Sequence, residues 1–240
     1  MPGTNRDLPA PAHGSMNAPM TMTNAPDLTL DELRVELVPD VARNAAFDGW
    51  DDAAVDSAAQ LRGIDPAIAR LAFSGGAAHM IDAWFAHVDA AMLVALPPER
   101  LAAMKIREKI AALVEARLNV LAPDREALRR AQAILAQPRN LALAARLGWR
   151  AADVMWRAAG DTATDYNHYS KRTLLAGIYA ATLLIFVNDE SEEWAGTRAF
   201  LGRRIEDVMR FERTKAKLLP SGDRHFSLSA FIGRLRYPAV

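Results

Sequence analysis

The chain has 240 residues, 51% of them hydrophobic, and its 29 Lys and Arg balance its 29 Asp and Glu. That is enough apolar material to bury a large core, which excludes a disordered chain, and the lack of cysteine excludes a disulfide framework or a thiolate metal site. The charge is unevenly spread: residues 31–89 hold eleven acids against four arginines, while residues 198–240 hold ten bases against four acids, so the two ends should meet different partners.

Alanine and leucine abound, and apolar residues recur at helical rather than alternating spacing, which predicts an all-α fold with no competing strand run. Residues 1–28, rich in Pro, Asn, Met, Thr and Ala, read as a disordered arm. They have neither the continuous apolar core of a secretory signal nor the repeated arginines of a mitochondrial presequence. Leu33, Leu37, Val41 and Ala45 then recur every four residues, interrupted by Pro39, which is expected to kink the helix or open a new one. A turn at Phe47-Asp48-Gly49-Trp50 precedes a short helix capped by Asp51 or Asp52 and ended by Arg62-Gly63. Asp65-Pro66 starts another, and Phe73-Ser74-Gly75-Gly76 closes it before a longer helix from about Ala77. Three short helices followed by a long one have helix-turn-helix spacing, which places a head at residues 29–85. Breaks at Pro97-Pro98, Pro123, Pro138, Gly160 and Asn188-Asp189 divide a body, residues 86–219, into long antiparallel helices. The plan resembles that of TetR-type regulators, a three-helix head on a larger ligand-binding helical body.

The head does not read as a DNA reader. A recognition helix needs Arg, Lys, Asn, Gln or Ser toward base edges and further bases on phosphates, yet residues 65–72 offer only Arg70. Asp48, Asp51, Asp52 and Asp56 surround it and repel phosphate, so the helix-turn-helix is taken as degenerate and no nucleic acid is expected.

Polar chemistry concentrates at GDTATDYNHYSKR, residues 160–172, ahead of the apolar run 174–187, which is too short to span a bilayer. Asp161, Asp165 and His168 would share a helix face and offer a carboxylate-histidine metal site. A single Asp-x-x-His without a partner helix is an incomplete pattern, and Asp161, Thr162 or Thr164 also suits a helix cap after Gly160. Asp165, His168, Tyr169 and Arg172 fall on one side of the helix, either as a solvated face or as a binding surface. His79 and His87 are too far apart on their helix to chelate and read as helix-surface residues. No phosphate loop, Gly-x-Ser-x-Gly or Cys/His nucleophile pair is present, so no catalytic residue, metal or cofactor is expected. A cavity between the Ala-, Leu-, Ile- and Met-rich body helices would be apolar and would suit a lipid tail. After Pro220-Ser221-Gly222, Leu228, Phe231, Ile232 and Leu235 form an amphipathic pattern over residues 220–240. It would either dock back on the body or lie on a membrane with Arg224, Arg234 and Arg236 toward anionic lipid.

FDGW at Phe47–Trp50, KIREKI at Lys105–Ile110, DVMWRAAGDTATDYNHYSKRTLLAGIY at Asp153–Tyr179 and IEDVM at Ile205–Met209 resemble the ubiquinone-biosynthesis accessory family of the Coq-nine type. The resemblance covers about residues 30–215 and is specific across the long central segment. It implies a non-enzymatic TetR-like protein that binds an isoprenoid quinone-like lipid. It also implies attachment to a membrane surface through Leu228, Phe231, Ile232, Leu235, Arg234 and Arg236, and support of the di-iron demethoxyubiquinone hydroxylase. Carried over by position, the partner-contacting residues are Asp153, Met155, Asp165, Asn167, His168, Tyr169, Lys171 and Arg172. Trp149, Trp156, Ile178 and Leu183 are the expected lipid contacts. Mitochondrial relatives place tryptophan where this chain has His168, which offers less apolar area and a titratable group. The arm favours a bacterial setting, on the cytoplasmic face of the inner membrane. A homodimer, as in regulators of that fold, is a further expectation.

Overall fold

The computed structural model describes residues 28–162 and 166–218, without the side chains of residues 166, 167, 209 and 211–218; the membrane-contact expectation at 220–240 and the arm at 1–27 lie outside them. Ten α-helices and no strand occur among the described residues: α1 Leu30–Ala45, α2 Asp52–Arg62, α3 Pro66–Ala72, α4 Gly76–Ala95, α5 Pro98–Ala102, α6 Ile106–Leu121, α7 Arg125–Leu135, α8 Leu141–Ala158, α9 Tyr166–Phe186 and α10 Ala195–Leu218. The expected all-α, TetR-like arrangement is what the chain adopts.

Local chemistry sets most helix ends where the sequence predicts them. Asp51 accepts from the Ala53 N–H at 3.0 Å, and Asp65 accepts from the Ala67 N–H at 2.8 Å; Thr29 and Glu32, not singled out from the sequence, form a reciprocal cap on α1. Of the two alternatives at Pro39, the opening of a new helix is not what the chain does: α1 runs through it. The hydrogen bond that proline cannot make belongs to the Val35 carbonyl, and Val35 faces solvent, where water can satisfy it.

Leu33, Leu37, Val41 and Ala45 of α1 enter a single continuous core with Val55 of α2, Phe73, and Met80, Trp84 and Val88 of α4. Trp50 ties head to body: its ring sits 5.2 Å from Trp84, and its Nε1 donates to the Ala127 carbonyl of α7 at 3.0 Å. Helix α4 continues without a break across residues 85 and 86, so head and body share one element.

Two polar clusters fix the body. Arg117 of α6, fully buried, pairs with Asp89 of α4 and lies 4.9 Å over the Tyr179 ring of α9. Arg150 of α8 reaches the same Asp89 at 3.2 Å and Asp82 at 2.5 Å. At the far end of α9, Arg125 donates to the Phe186 and Asp189 carbonyls at 2.5 and 2.7 Å, and Arg129 to the Val187 carbonyl at 2.8 Å. These guanidinium groups take up carbonyls that a helix C-terminus leaves without intrahelical partners. Asp189 then starts the next helix. It accepts from the Thr197 N–H at 2.7 Å, the Thr197 hydroxyl at 2.6 Å and the Ser191 hydroxyl at 2.5 Å. These hydrogen bonds hold its carboxyl well below the usual carboxylate range, although burial opposes them.

Candidate functional site

A cavity of about 350 Å3 opens between α6, α8, α9 and α10, within the size range of small-molecule and lipid sites. Ile106, Arg107 and Ile110 line it from α6, Trp156 from α8, Ser170, Lys171, Leu174, Leu175 and Ile178 from α9, and Ile205 and Val208 from α10. On α9, positions 171, 174, 175 and 178 follow the i, i+3, i+4, i+7 spacing that puts side chains on one helix face; 106 and 110, and 205 and 208, do so on their own helices. Every lining residue falls within segments 105–110, 153–179 or 205–209, the motif segments that are far apart in sequence. Of the expected lipid contacts, Trp156 and Ile178 are in the wall.

The other two expected lipid contacts are elsewhere. Leu183 is buried in the core and does not line the cavity. Trp149 packs outward instead, with its ring 6.0 Å from Tyr169 and 6.4 Å from His168, which are 5.1 Å from each other. Sequence reading missed the α6 and α10 walls. The KIREKI and IEDVM segments were visible as motifs, but nothing in their spacing says that they converge.

The joint between α8 and α9 is built by Gly160, whose φ of +91° suits glycine and lets the Asp161 N–H reach back to the Trp156 carbonyl at 2.9 Å. This turn delivers the Asp161 carboxylate to α9. One of its oxygens accepts from Lys171 Nζ at 2.8 Å and the other from Arg172 Nη1 at 3.1 Å. Burial raises the Asp161 carboxyl, but the hydrogen bonds and charges of Lys171 and Arg172 outweigh it and leave the group below its ordinary value. Arg172 also donates through Nε to Asp153 at 2.5 Å and through Nη1 to the His168 carbonyl at 3.1 Å. Arg157 holds the second Asp153 oxygen at 2.5 Å.

This geometry corrects several expectations. Arg172 is 1% exposed and Met155 fully buried, so neither side chain can touch a partner directly. The reason is that Arg172 spans the two acids joining α8 to α9, while Met155 packs in the core. Asp161, weighed from the sequence as a helix cap or one group of an incomplete metal pattern, is an ion-pair partner of α9. Asp165 lies outside the described residues, as does the side chain of Asn167. Tyr169, 61% exposed, and half-buried His168 do form a surface, backed by Trp149. His79 and His87, read from the sequence as surface residues, are each half-buried on α4, and burial lowers the His87 imidazole against the opposing pull of Asp124.

On the head, α3 turns Ile68 and Leu71 to solvent, and Asp56 accepts from Arg70 Nε at 2.7 Å. No helix among the described residues is long and apolar enough to cross a membrane.

A family model described as COQ9 matches residues 141–212, the segment that contains α8, the Gly160 joint, α9 and the α10 wall of the cavity. The COQ9 likeness is thus seated in the segment that builds most of the cavity wall. It is 32% identical over 196 residues to the mitochondrial ubiquinone biosynthesis protein COQ9 of Rattus norvegicus, covering 79% of this chain and 60% of that one. To the Bos taurus COQ9 it is 32% identical over 182 residues, covering 73% and 57%, and to the Homo sapiens COQ9 37% identical over 110 residues, covering 46% and 35%. The chain therefore spans less than two thirds of the length of these COQ9 relatives. Among solved structures, a TetR transcriptional regulator from Nitrosomonas europaea superposes with a TM-score of 0.60 at 24% identity, over 75% of this chain and 99% of that one. That likeness establishes the TetR-like fold.

Proposed function

We propose that this chain is a non-catalytic accessory protein of ubiquinone biosynthesis, which holds a polyprenylated quinone precursor in the α6–α8–α9–α10 cavity and presents it to the di-iron demethoxyubiquinone hydroxylase. The observation that carries the reading is the coincidence of cavity and motif: all the wall residues belong to three of the four segments in which the sequence resembles the Coq-nine family. An isoprenoid tail is costly to expose to water, at about 25 cal/mol per Å2 of apolar surface, so chemistry on its head group is helped by a protein that shields the tail. The neighbouring Trp149, His168 and Tyr169 surface lies on α8 and α9, two of the four helices of the cavity wall, which suits a partner that receives the head group. Work would take place at a membrane surface, on the cytoplasmic face of a bacterial inner membrane, with residues 220–240 as the attachment.

A DNA-binding regulator finds less support, because the outward residues of α3 are apolar and its one base is engaged by Asp56. The test is mass spectrometry of lipid retained through gentle purification, together with co-purification of the tagged hydroxylase. A chain that carries no prenylated lipid and retains no hydroxylase contradicts the proposal.

A further inference from the structure

We infer that the connection from α4 to α6, residues 93–107, is a second seat on the membrane. Leu93, Val94 and Ile106 enter the interface of an anionic lipid bilayer, with Arg100, Lys105 and Arg107 against its head groups. The inference rests on the membrane-attachment reading above and adds a surface of the body that sets the cavity mouth on the bilayer.

Val94 is 82% exposed, Ile106 43% and Leu93 42%, three large aliphatic side chains turned to solvent on one short connection. The core takes Met92, Leu96 and Leu101 from the same stretch, so Leu93 and Val94 are surplus to its packing. Residues 93–109 carry four bases and two acids, Glu99 and Glu108. Lys109 is turned inward and donates to the Ala159 carbonyl at 3.2 Å, whereas Arg100, Lys105 and Arg107 are exposed. Arg100 spends one of its five donors on the Ala95 carbonyl at 2.9 Å, and neither Arg100 nor Lys105 is in an ion pair among the described residues.

The place of this surface decides its occupant. Ile106 and Arg107 also line the cavity, so the patch begins at the cavity mouth. Helix α10 starts beside Phe186, where Arg125, just past the C-terminal end of α6, holds the Phe186 carbonyl. It then faces the first turns of α6 with Ile205 and Val208 and continues for about 15 Å to Leu218, at about 1.5 Å per residue. Residues 219–240, the expected attachment, therefore leave from the end of the molecule that carries Val94. Residues 203–218 add six bases against Glu206, Asp207 and Glu212, and Arg204 already pairs with Asp207 at 2.8 Å. The α8–α9 joint sets Arg157, Lys171 and Arg172 against Asp153, Asp161 and Asp165, so the excess at this end is positive. An apolar patch with cations around it suits an anionic lipid surface. A prenylated lipid that leaves a bilayer exposes its tail unless the entrance is seated in the surface, and Ile106 belongs to both the seat and the wall.

The chain has no cysteine, so Val94→Cys and Leu61→Cys each give the full chain a single labelling site. Both positions are exposed, and α4, about 30 Å long at about 1.5 Å per residue, separates the head that carries Leu61 from Val94. Each protein is labelled with a nitrobenzoxadiazole dye, which brightens on leaving water, and titrated with vesicles of phosphatidylcholine and phosphatidylglycerol in equal parts. The dye at 94 should brighten severalfold and shift to the blue, and the dye at 61 should change little. Arg100→Gln with Lys105→Gln should move the titration at 94 to severalfold more lipid, as should added salt.

A chain that floats with the vesicles while the dye at 94 stays in water overturns the inference and leaves attachment through residues 220–240 intact. Equal brightening at 61 and 94, or a titration unmoved by Arg100→Gln with Lys105→Gln, overturns it as well. Brightening at 94 without vesicles, on raising the protein concentration or adding the hydroxylase, gives the surface to a protein and overturns it. A chain that does not float with the vesicles overturns both readings.

Discussion

Lys171 and Trp156 hold each other at both ends. The indole Nε1 donates to the Lys171 carbonyl at 3.1 Å, and the Lys171 ammonium lies 5.3 Å from the centroid of the indole ring. One contact fixes the backbone of α9 against α8, and the other folds the lysine stem over the aromatic face at the cavity edge. Trp156→Phe keeps a ring but removes the N–H donor. It should lower stability by about 1 kcal/mol in urea unfolding, with the cavity still able to take a lipid. A loss above that range means that the indole supports more than this one bond.

Arg172 is the most sensitive position of the joint. Arg172→Ala leaves Asp153 and Asp161 without their shared cation and should cost about 3–5 kcal/mol, as when one partner of a buried ion pair is removed. Charge reversal to Glu should prevent folding. Urea titrations followed by far-ultraviolet circular dichroism measure both. A stable Arg172→Glu protein is incompatible with this role.

The acid side of the stability profile follows from Asp161 and Asp189, whose carboxyls are both held below their ordinary values in the folded chain. Each binds its proton more readily when unfolded, so its contribution is complete above the unfolded carboxylate range, about pH 4, and is lost as pH falls through the lower folded value. Asp189→Asn should therefore lower the melting temperature at neutral pH and flatten its fall in acid. Calorimetry from pH 7 down to the lowest reversible pH compares the two profiles; parallel curves count against the assignment.

Leu174 stands at the cavity mouth, 44% exposed, so a charge there can be hydrated without unfolding the bundle. Leu174→Glu should abolish lipid retention while moving the melting temperature by no more than a few degrees, as expected of a surface change of about 0.5 kcal/mol. Retained lipid at the wild-type level points to a different entrance.

Tyr169→Ala separates docking from folding. The ring is exposed and packs on Trp149 and His168, so its removal should change stability by about 0.5 kcal/mol or less, yet weaken hydroxylase binding by about tenfold or more, as for an interface anchor. His168→Trp enlarges the apolar face and should strengthen the same association. Pull-downs or biosensor titrations of both variants decide; unchanged affinity in each moves the docking face elsewhere.

Helix ends were the most legible part of the molecule, because Asp51, Asp65 and Gly160 act on neighbours within a few residues. Pro39 opens no new helix, because a lost hydrogen bond matters less where the orphaned carbonyl meets solvent. The site was only half legible. The periodicity of α9 is plain in the sequence, but the same spacing describes a cavity wall and a packed core, so it cannot separate Ile178 from Leu183. Arg172 reads as a surface residue by type, and only the arrival of Asp153 from α8 and Asp161 from the joint after Gly160 explains its burial. The meeting of residues 106 and 205 depends on how α6 and α10 cross, which no local pattern encodes.

The clasp of Asp189 on Thr197 has a mechanical consequence for the cavity. It pins the start of α10, while Ile205 and Val208 lie roughly 12 and 16 Å farther along the helix at about 1.5 Å per residue. A rotation of only about 5° about that pinned end would carry the wall at Val208 by roughly 1.4 Å, close to the radius of a water molecule. The width of the cavity is thus geared to a single pivot, with α10 as its lever arm.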